Sequence, residues 1–258
     1  MNRGEMHAQK RAELFVAQEK QVWSTQGINQ DQELTTMLYD FIYGEALYHG
    51  QVSPKMRQYA ILACLVTKSS LKQLRTQIDI ALNMGITPSE VKEVIYQCAS
   101  YVGFDNSLDA MDVANEVFAT HGYNLPIKSQ ATVTDETRYY DGYTVQKGIF
   151  GDVIDNMKNN TPEYKRYIIV NYLSSLCFGD FYTRKGLSLQ EREIVTFTAI
   201  ATMNPLMNQV KDHMNANLAV GNTKQDLVDI IGHCVAYLGF PRALTLLAIL
   251  DQVAPEKE

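Results

Sequence analysis

The chain has 258 residues, 23 Lys+Arg against 29 Asp+Glu, a net charge of −6 and 46% hydrophobic residues. That length can bury one large core or two small ones. The acidic balance excludes a nucleic-acid surface, which needs clustered positive charge, and 10% aromatics with 20% charged residues exclude a disordered chain. Four Cys are too few for a disulfide scaffold.

Helices are expected at 6–23, 32–46, 54–68, 70–84, 88–102 and 106–120, then at 141–157, 162–178, 189–203, 206–220, 224–238 and 241–253. No stretch sustains strand alternation. Thr87-Pro-Ser-Glu90 reads as a capping box with Pro at the first helical position, and Thr223-Lys-Gln-Asp226 as its counterpart. Gly85 and Gly221 stand where the preceding helices should end. The opening MNRGEMHAQKRAELFV lacks the apolar stretch of a signal peptide. The longest uncharged run, Ile194 to Val210, carries Thr, Asn, Gln and Pro and is a poor membrane span. A cytoplasmic protein without membrane partners is expected.

The two sets of helices repeat one another. Gly85, Thr87, Cys98, Tyr101, Gly103 and Phe104 recur as Gly221, Thr223, Cys234, Tyr237, Gly239 and Phe240, each 136 residues on. Upstream the offset is 135: Gly44, Ser53 and Arg57 recur as Gly179, Ser188 and Arg192, which puts a one-residue insertion near Asn204-Pro205. The polar, Thr-rich stretch between the sets reads as a linker. The expected division is a first repeat at 1–121, a linker at 122–140 and a second repeat at 141–258.

Chemistry is expected in the second repeat. Glu193 lies about 11 residues before one turn and His213 about 9 after it. His213 lies about 9 residues before the Gly221 turn and His233 about 11 after it, so at about 1.5 Å per residue all three reach one height in antiparallel helices. Tyr237 follows His233 by one turn. The first repeat has Gln58, Gln77 and Gln97 at the matching positions, and an amide cannot exchange protons near neutral pH. The pattern suggests one proton-transfer site and one copy that has lost it. Arg184 and Arg192 are candidates for holding a substrate carboxylate. Arg192 also fits an ion pair that orients helices, since Arg57 matches it, whereas Arg184 is matched by His49. No C-x-x-C, P-loop or metal-ligand spacing occurs, and the cysteines read as buried and inert.

The stretch from Phe178 to Val195, with Gly179, Arg184, Gly186-Leu-Ser188 and Arg192-Glu193, resembles the carboxymuconolactone decarboxylase family. So do His213, Gly221, His233 and Tyr237-Leu-Gly-Phe-Pro241 further on. The likeness spans about Asp141 to Val253; the first repeat matches more loosely and departs at Gln58, Gln77 and Asp105. The resemblance implies an all-α, AhpD-like fold in two tandem repeats, a small-molecule substrate and a homo-oligomer, with a trimer favoured and a dimer as the alternative. It also implies cofactor-free decarboxylation, with His213 as acid/base, Glu193 orienting it, His233 and Tyr237 completing the network, and Arg184 or Arg192 on a carboxylate. The hydroperoxide-reducing branch uses a C-x-x-C before the His, but here Leu206 and Gln209 stand in those places, as do Ser70 and Gln73 in the first repeat. A non-catalytic ligand binder or scaffold is the third reading.

Overall fold

A computed structural model describes residues 1–14, 32–203 and 206–255, and the described chain is all-α. The helices are α1 (Arg3–Leu14), α2 (Gln32–Gly44), α3 (Pro54–Thr67), α4 (Leu71–Asn83), α5 (Pro88–Val102) and α6 (Phe104–Thr120) in the first repeat. The second repeat has α7 (Arg138–Phe150), α8 (Val153–Asn160) and α9 (Glu163–Arg166), the last running into a π-helix (Tyr167–Tyr182). After it come α10 (Leu189–Thr202), α11 (Met207–Ala219), α12 (Lys224–Leu238) and α13 (Phe240–Val253). The expected insertion at Asn204-Pro205, and positions 15–23 of the first expected helix, lie outside the described residues.

Local chemistry sets the starts of four helices around the centre of the fold. Ser53 accepts from the Met56 amide, and Thr87, Ser188 and Thr223 each close a capping box with Glu90, Glu191 and Asp226. The helix expected at 141–157 is broken by Gly151 at φ +68, a conformation that favours glycine. The helix expected at 162–178 extends to Tyr182 because its later part winds with i→i+5 hydrogen bonds. That wider winding keeps Val170, Ser174, Phe178 and Tyr182, every fourth residue, on one buried face.

The repeat also runs further upstream than its sequence signals. A Cβ on Gly44 would strike the Arg3 carbonyl, and one on Gly179 would strike the Arg138 carbonyl 135 residues later. Arg3 pairs with Glu45, and Arg138 with Asp180, at the same offset. Thus α1 and α7 occupy equivalent places, α1 crossing α2 and α7 crossing the π-helix at close range.

The two repeats share their centre. Helices α3 and α10 are buried along most of their length, Gln58 to Val66 and Arg192 to Ala201, and pack on each other. The core of the first repeat includes Val195 and Ala199 of the second, and the second core includes Val52 and Ala60 of the first. Around this axis each repeat lays one helix across the other: α5 packs on α10, and α12 packs on α3. No helix among the described residues is long and apolar enough to cross a membrane.

Candidate active site

Glu193, on α10, is wholly buried, and its Oε2 lies 2.8 Å from Nδ1 of His213 on α11. Helix α11 is held against α10 by Asn217, one turn beyond His213. Its amide donates to the Glu193 carbonyl at 3.0 Å and the His213 carbonyl at 2.7 Å. The second carboxylate oxygen of Glu193 accepts from the Tyr182 hydroxyl at 2.8 Å. Tyr182 reaches it because the π-helix turns its last residue inward.

The network continues into the first repeat. The Tyr182 oxygen is 2.9 Å from Thr196 Oγ1 and 3.1 Å from the Tyr101 hydroxyl, and Gln97 donates to Thr196 at 3.0 Å. One assignment of hydrogens satisfies the chain: Gln97 donates to Thr196, Thr196 and Tyr101 to Tyr182, and Tyr182 to Glu193. Burial, and then the Glu193 charge, pushes the Tyr182 hydroxyl well above the ordinary phenol range. Burial does the same for Tyr101, followed by its neighbours Cys177 and Tyr182. Both therefore stay protonated donors at neutral pH.

His213 is clamped edge-on by the rings of Tyr101 and Phe150, with centroids 5.6 and 5.7 Å away. With Nδ1–H on Glu193, its Nε2 is left toward a cavity of about 630 Å³. The walls come mainly from α7, α8, the π-helix and α11, and are largely apolar, with Phe150, Phe178, Leu173 and Met203 among them. No Lys or Arg lines the cavity among the described residues. Leu206 and Gln209, which stand in the C-x-x-C places, border it directly. Cys177 also borders it, 3.5 Å from the Tyr101 hydroxyl, and burial pushes its thiol up to about 11. All four cysteines are free and buried. Among the described residues no group of His, Cys, Asp and Glu is placed to hold a metal.

The structure brings together Glu193 and His213 but not His233 and Tyr237. Matching heights fixed the level of each residue along its helix, not the neighbour that its helix faces. Helix α12 lies on α3, so His233 lines a separate cavity of about 240 Å³ with His49 and Asp229. Burial, and then Arg57, pulls His233 down to about 4. Tyr237 packs among Tyr39 and Tyr43, and its hydroxyl has no partner among the described residues. Nearby, Gln58 donates to Gln77 Oε1 at 2.9 Å and Gln77 donates to Tyr43 at 2.9 Å. The last pair of each motif is thus exchanged between repeats. Gln97 and Tyr101 serve the Glu193 site, while His233 and Tyr237 flank the amide copy.

Arg184 and Arg192 do not border the large cavity either. Both are held by Glu93 of the first repeat, which is wholly buried. Arg184 grips it through Nε and Nη2 at 2.9–3.1 Å, and Arg192 Nη2 lies 3.1 Å away. Arg184 also covers the Tyr96 ring at 4.5 Å. Arg192 further donates to Gln97 Oε1 at 2.9 Å and to the Arg184 and Lys185 carbonyls. Its contact with Gln97 fixes which amide atom meets Thr196, so Arg192 orients the network at one remove.

Of the contributors that the sequence did not mark, Gln97 and Tyr101 come from the first repeat, while Thr196 and Tyr182 belong to the second, Tyr182 reaching Glu193 through the π-helix. The exchange becomes readable once two equivalent helices are allowed to cross about a pseudo-twofold axis.

Comparison with known proteins follows the same division. The profile of the carboxymuconolactone decarboxylase family matches twice, at residues 32–116 and 169–252. A "4-carboxymuconolactone decarboxylase" of Acinetobacter baylyi (strain ATCC 33305 / BD413 / ADP1) is 25% identical over 136 residues, 48% of this chain and 97% of that protein. Two matches within one all-α chain, each holding the central helix of its repeat, lead to one conclusion: the chain belongs to the carboxymuconolactone decarboxylase family.

Proposed function

We propose that Glu193 and His213 form the acid/base pair of a cofactor-independent decarboxylation of a small carboxylated lactone or keto acid. The observation that carries this reading is the 2.8 Å contact from Glu193 to His213 Nδ1, which leaves Nε2 facing an apolar cavity. In the proposed reaction the C–C bond to the carboxylate breaks and carbon dioxide departs without the bonding pair. The pair passes into the adjacent carbonyl system as an enolate. The proton on His213 Nε2 then forms the new C–H bond, and water in the open cavity returns a proton to His213. Glu193 stabilises the imidazolium and fixes its orientation; such acid/base catalysis contributes roughly 10²–10⁴-fold.

A cavity wall that holds no Lys or Arg among the described residues fits this chemistry. A guanidinium on the leaving carboxylate would stabilise the substrate more than the transition state, where charge has moved to the enolate. Peroxide reduction finds little support, because Leu206 and Gln209 carry no thiol and Cys177 is held in its thiol form.

The test is carbon dioxide release from 4-carboxymuconolactone and a panel of β-keto acids, beside hydroperoxide consumption before and after alkylation of the thiols. Carbon dioxide release that survives alkylation is expected. Thiol-dependent hydroperoxide consumption, or saturable binding without turnover, would overturn the proposal.

A further inference from the structure

Gln146 lies on α7 and is 1% exposed, yet it borders the large cavity. Its Oε1 accepts from the hydroxyl of Ser174 at 2.8 Å. Ser174 is equally buried and belongs to the inward stripe of the π-helix. That bond fixes the amide with its oxygen on the protein, and its NH2 group has no protein partner among the described residues. The amide nitrogen is not among the fully buried atoms left without a partner, so it is open to the cavity, where it can donate to a bound molecule. Gln146 is one turn from Phe150 on the same helix face, and Phe150 touches the His213 ring. A molecule resting against His213 Nε2 therefore comes within reach of the Gln146 amide.

We infer that Gln146 donates a hydrogen bond to the substrate oxygen that becomes the enolate oxygen, in a β-keto acid or lactone whose remaining body is apolar. This rests on the acid/base reading of Glu193 and His213. As carbon dioxide leaves, the electron pair moves onto that oxygen, and the amide N–H meets the growing charge. When His213 delivers its proton to carbon, the pair returns to the C–H bond and the oxygen becomes a carbonyl again. With no Lys or Arg on the wall among the described residues, and with Asp212 also bordering the cavity, a neutral amide is the further donor available beside His213. A volume of about 630 Å³ leaves room for a body larger than one small ring. The first-repeat position matching Gln146 is Arg11, so a neutral amide stands at this position in the second repeat alone.

The inference can be tested without turnover, using 4-nitrophenolate as an enolate mimic and nitrobenzene as its neutral counterpart. Bound phenolate is read by absorbance. The unmodified protein is expected to bind the phenolate. Gln146→Leu should weaken it roughly 10- to 100-fold, while nitrobenzene binding stays within about twofold. Ser174→Ala, which frees the amide to turn, should weaken the phenolate in the same direction by less. Gln146→Leu should also lower kcat for carbon dioxide release by roughly 10²–10³-fold with little change in KM. If Gln146→Leu does not fold, Gln146→Met, which keeps the length of the side chain, takes its place. Phenolate binding equal to that of the unmodified protein in a folded Gln146 variant overturns the inference, as does failure of the unmodified protein to bind phenolate at all. If phenolate binding depends on Gln146 but no acid in the panel loses carbon dioxide, the decarboxylation reading fails and the donor remains. If His213→Gln abolishes carbon dioxide release while Gln146→Leu does not, only the donor fails.

Discussion

Glu93 offers the sharpest test of how the repeats depend on each other. It is a wholly buried carboxylate of the first repeat that neutralises two guanidiniums of the second, Arg184 and Arg192. Glu93→Gln keeps the volume but removes the charge and turns an amide toward groups that can only donate. Arg184, at the rim, can relax toward water. Arg192 is wholly buried and cannot. Breaking a buried pair from one side costs about 3–5 kcal/mol. The lower end applies here, since Arg192 keeps Gln97 and two backbone carbonyls as acceptors. At about 2–4 °C per kcal/mol for a chain near this size, 3 kcal/mol lowers Tm by about 6–12 °C. Thermal unfolding followed by circular dichroism measures it. Arg184→Gln, which leaves the Glu93–Arg192 pair intact, should lose less than half as much. Glu93→Leu combined with Arg192→Met should lose less than the two single changes added together. A Glu93→Gln protein melting within about 2 °C of the parent would refute the reasoning.

Three further outcomes follow from the same geometry. Tyr182→Phe removes the donor to Glu193 Oε1 and the acceptor of the Thr196 hydroxyl, so it should cost about 1–3 kcal/mol in denaturant titrations and lower kcat for carbon dioxide release; an unchanged kcat contradicts its place in the network. His233 is held neutral, at about 4 against an ordinary 6.5, so its contribution is fully present above pH 6.5 and is lost as pH falls toward 4. His233→Gln, which copies Gln97, should therefore flatten the fall in Tm between pH 6.5 and 4, and an unaltered slope contradicts this. The exposed pairs Phe104/Leu108 and Phe240/Leu244, 136 residues apart, offer two equivalent apolar faces for assembly. Size-exclusion chromatography with light scattering should give a trimer, or failing that a dimer, and a stable monomer contradicts both.

Much of the fold was legible in the sequence because its signals are local. Thr87, Ser188 and Thr223 mark helix starts by their own side chains, and apolar spacing marks the buried faces between them. The π-helix was not legible, since its buried residues at every fourth position read equally well as an α-helical face. Nor were α1 and α7 as equivalents: the pairs Arg3/Glu45 and Arg138/Asp180 are each 42 residues apart and acquire meaning only in space. At the site, Glu193 and His213 were legible because they sit on consecutive helices, α10 and α11, separated by only a few residues of sequence. Tyr101 and Gln97 were not, because their link to Glu193, through Tyr182 and Thr196, depends on α5 crossing to the other repeat, a long-range choice that no local pattern encodes. The same crossing moved His233 and Tyr237 away. Arg184 and Arg192 were candidates for holding a carboxylate, with a helix-orienting ion pair as the other reading of Arg192, and no local pattern marks Glu93, about 90 to 100 residues earlier, as the buried partner of both.

The central claim is that His213 hands a proton to carbon. The most direct measurement is His213→Gln assayed in deuterium oxide beside the parent. The replacement copies Gln77, whose hydrogen bond from Gln58 spans 2.9 Å in the first repeat, so the fold should hold. The parent is expected to place one solvent deuterium on the carbon that lost carbon dioxide, and the variant to turn over about 10²–10⁴-fold more slowly. A folded His213→Gln protein that releases carbon dioxide at the parent's rate would contradict the account.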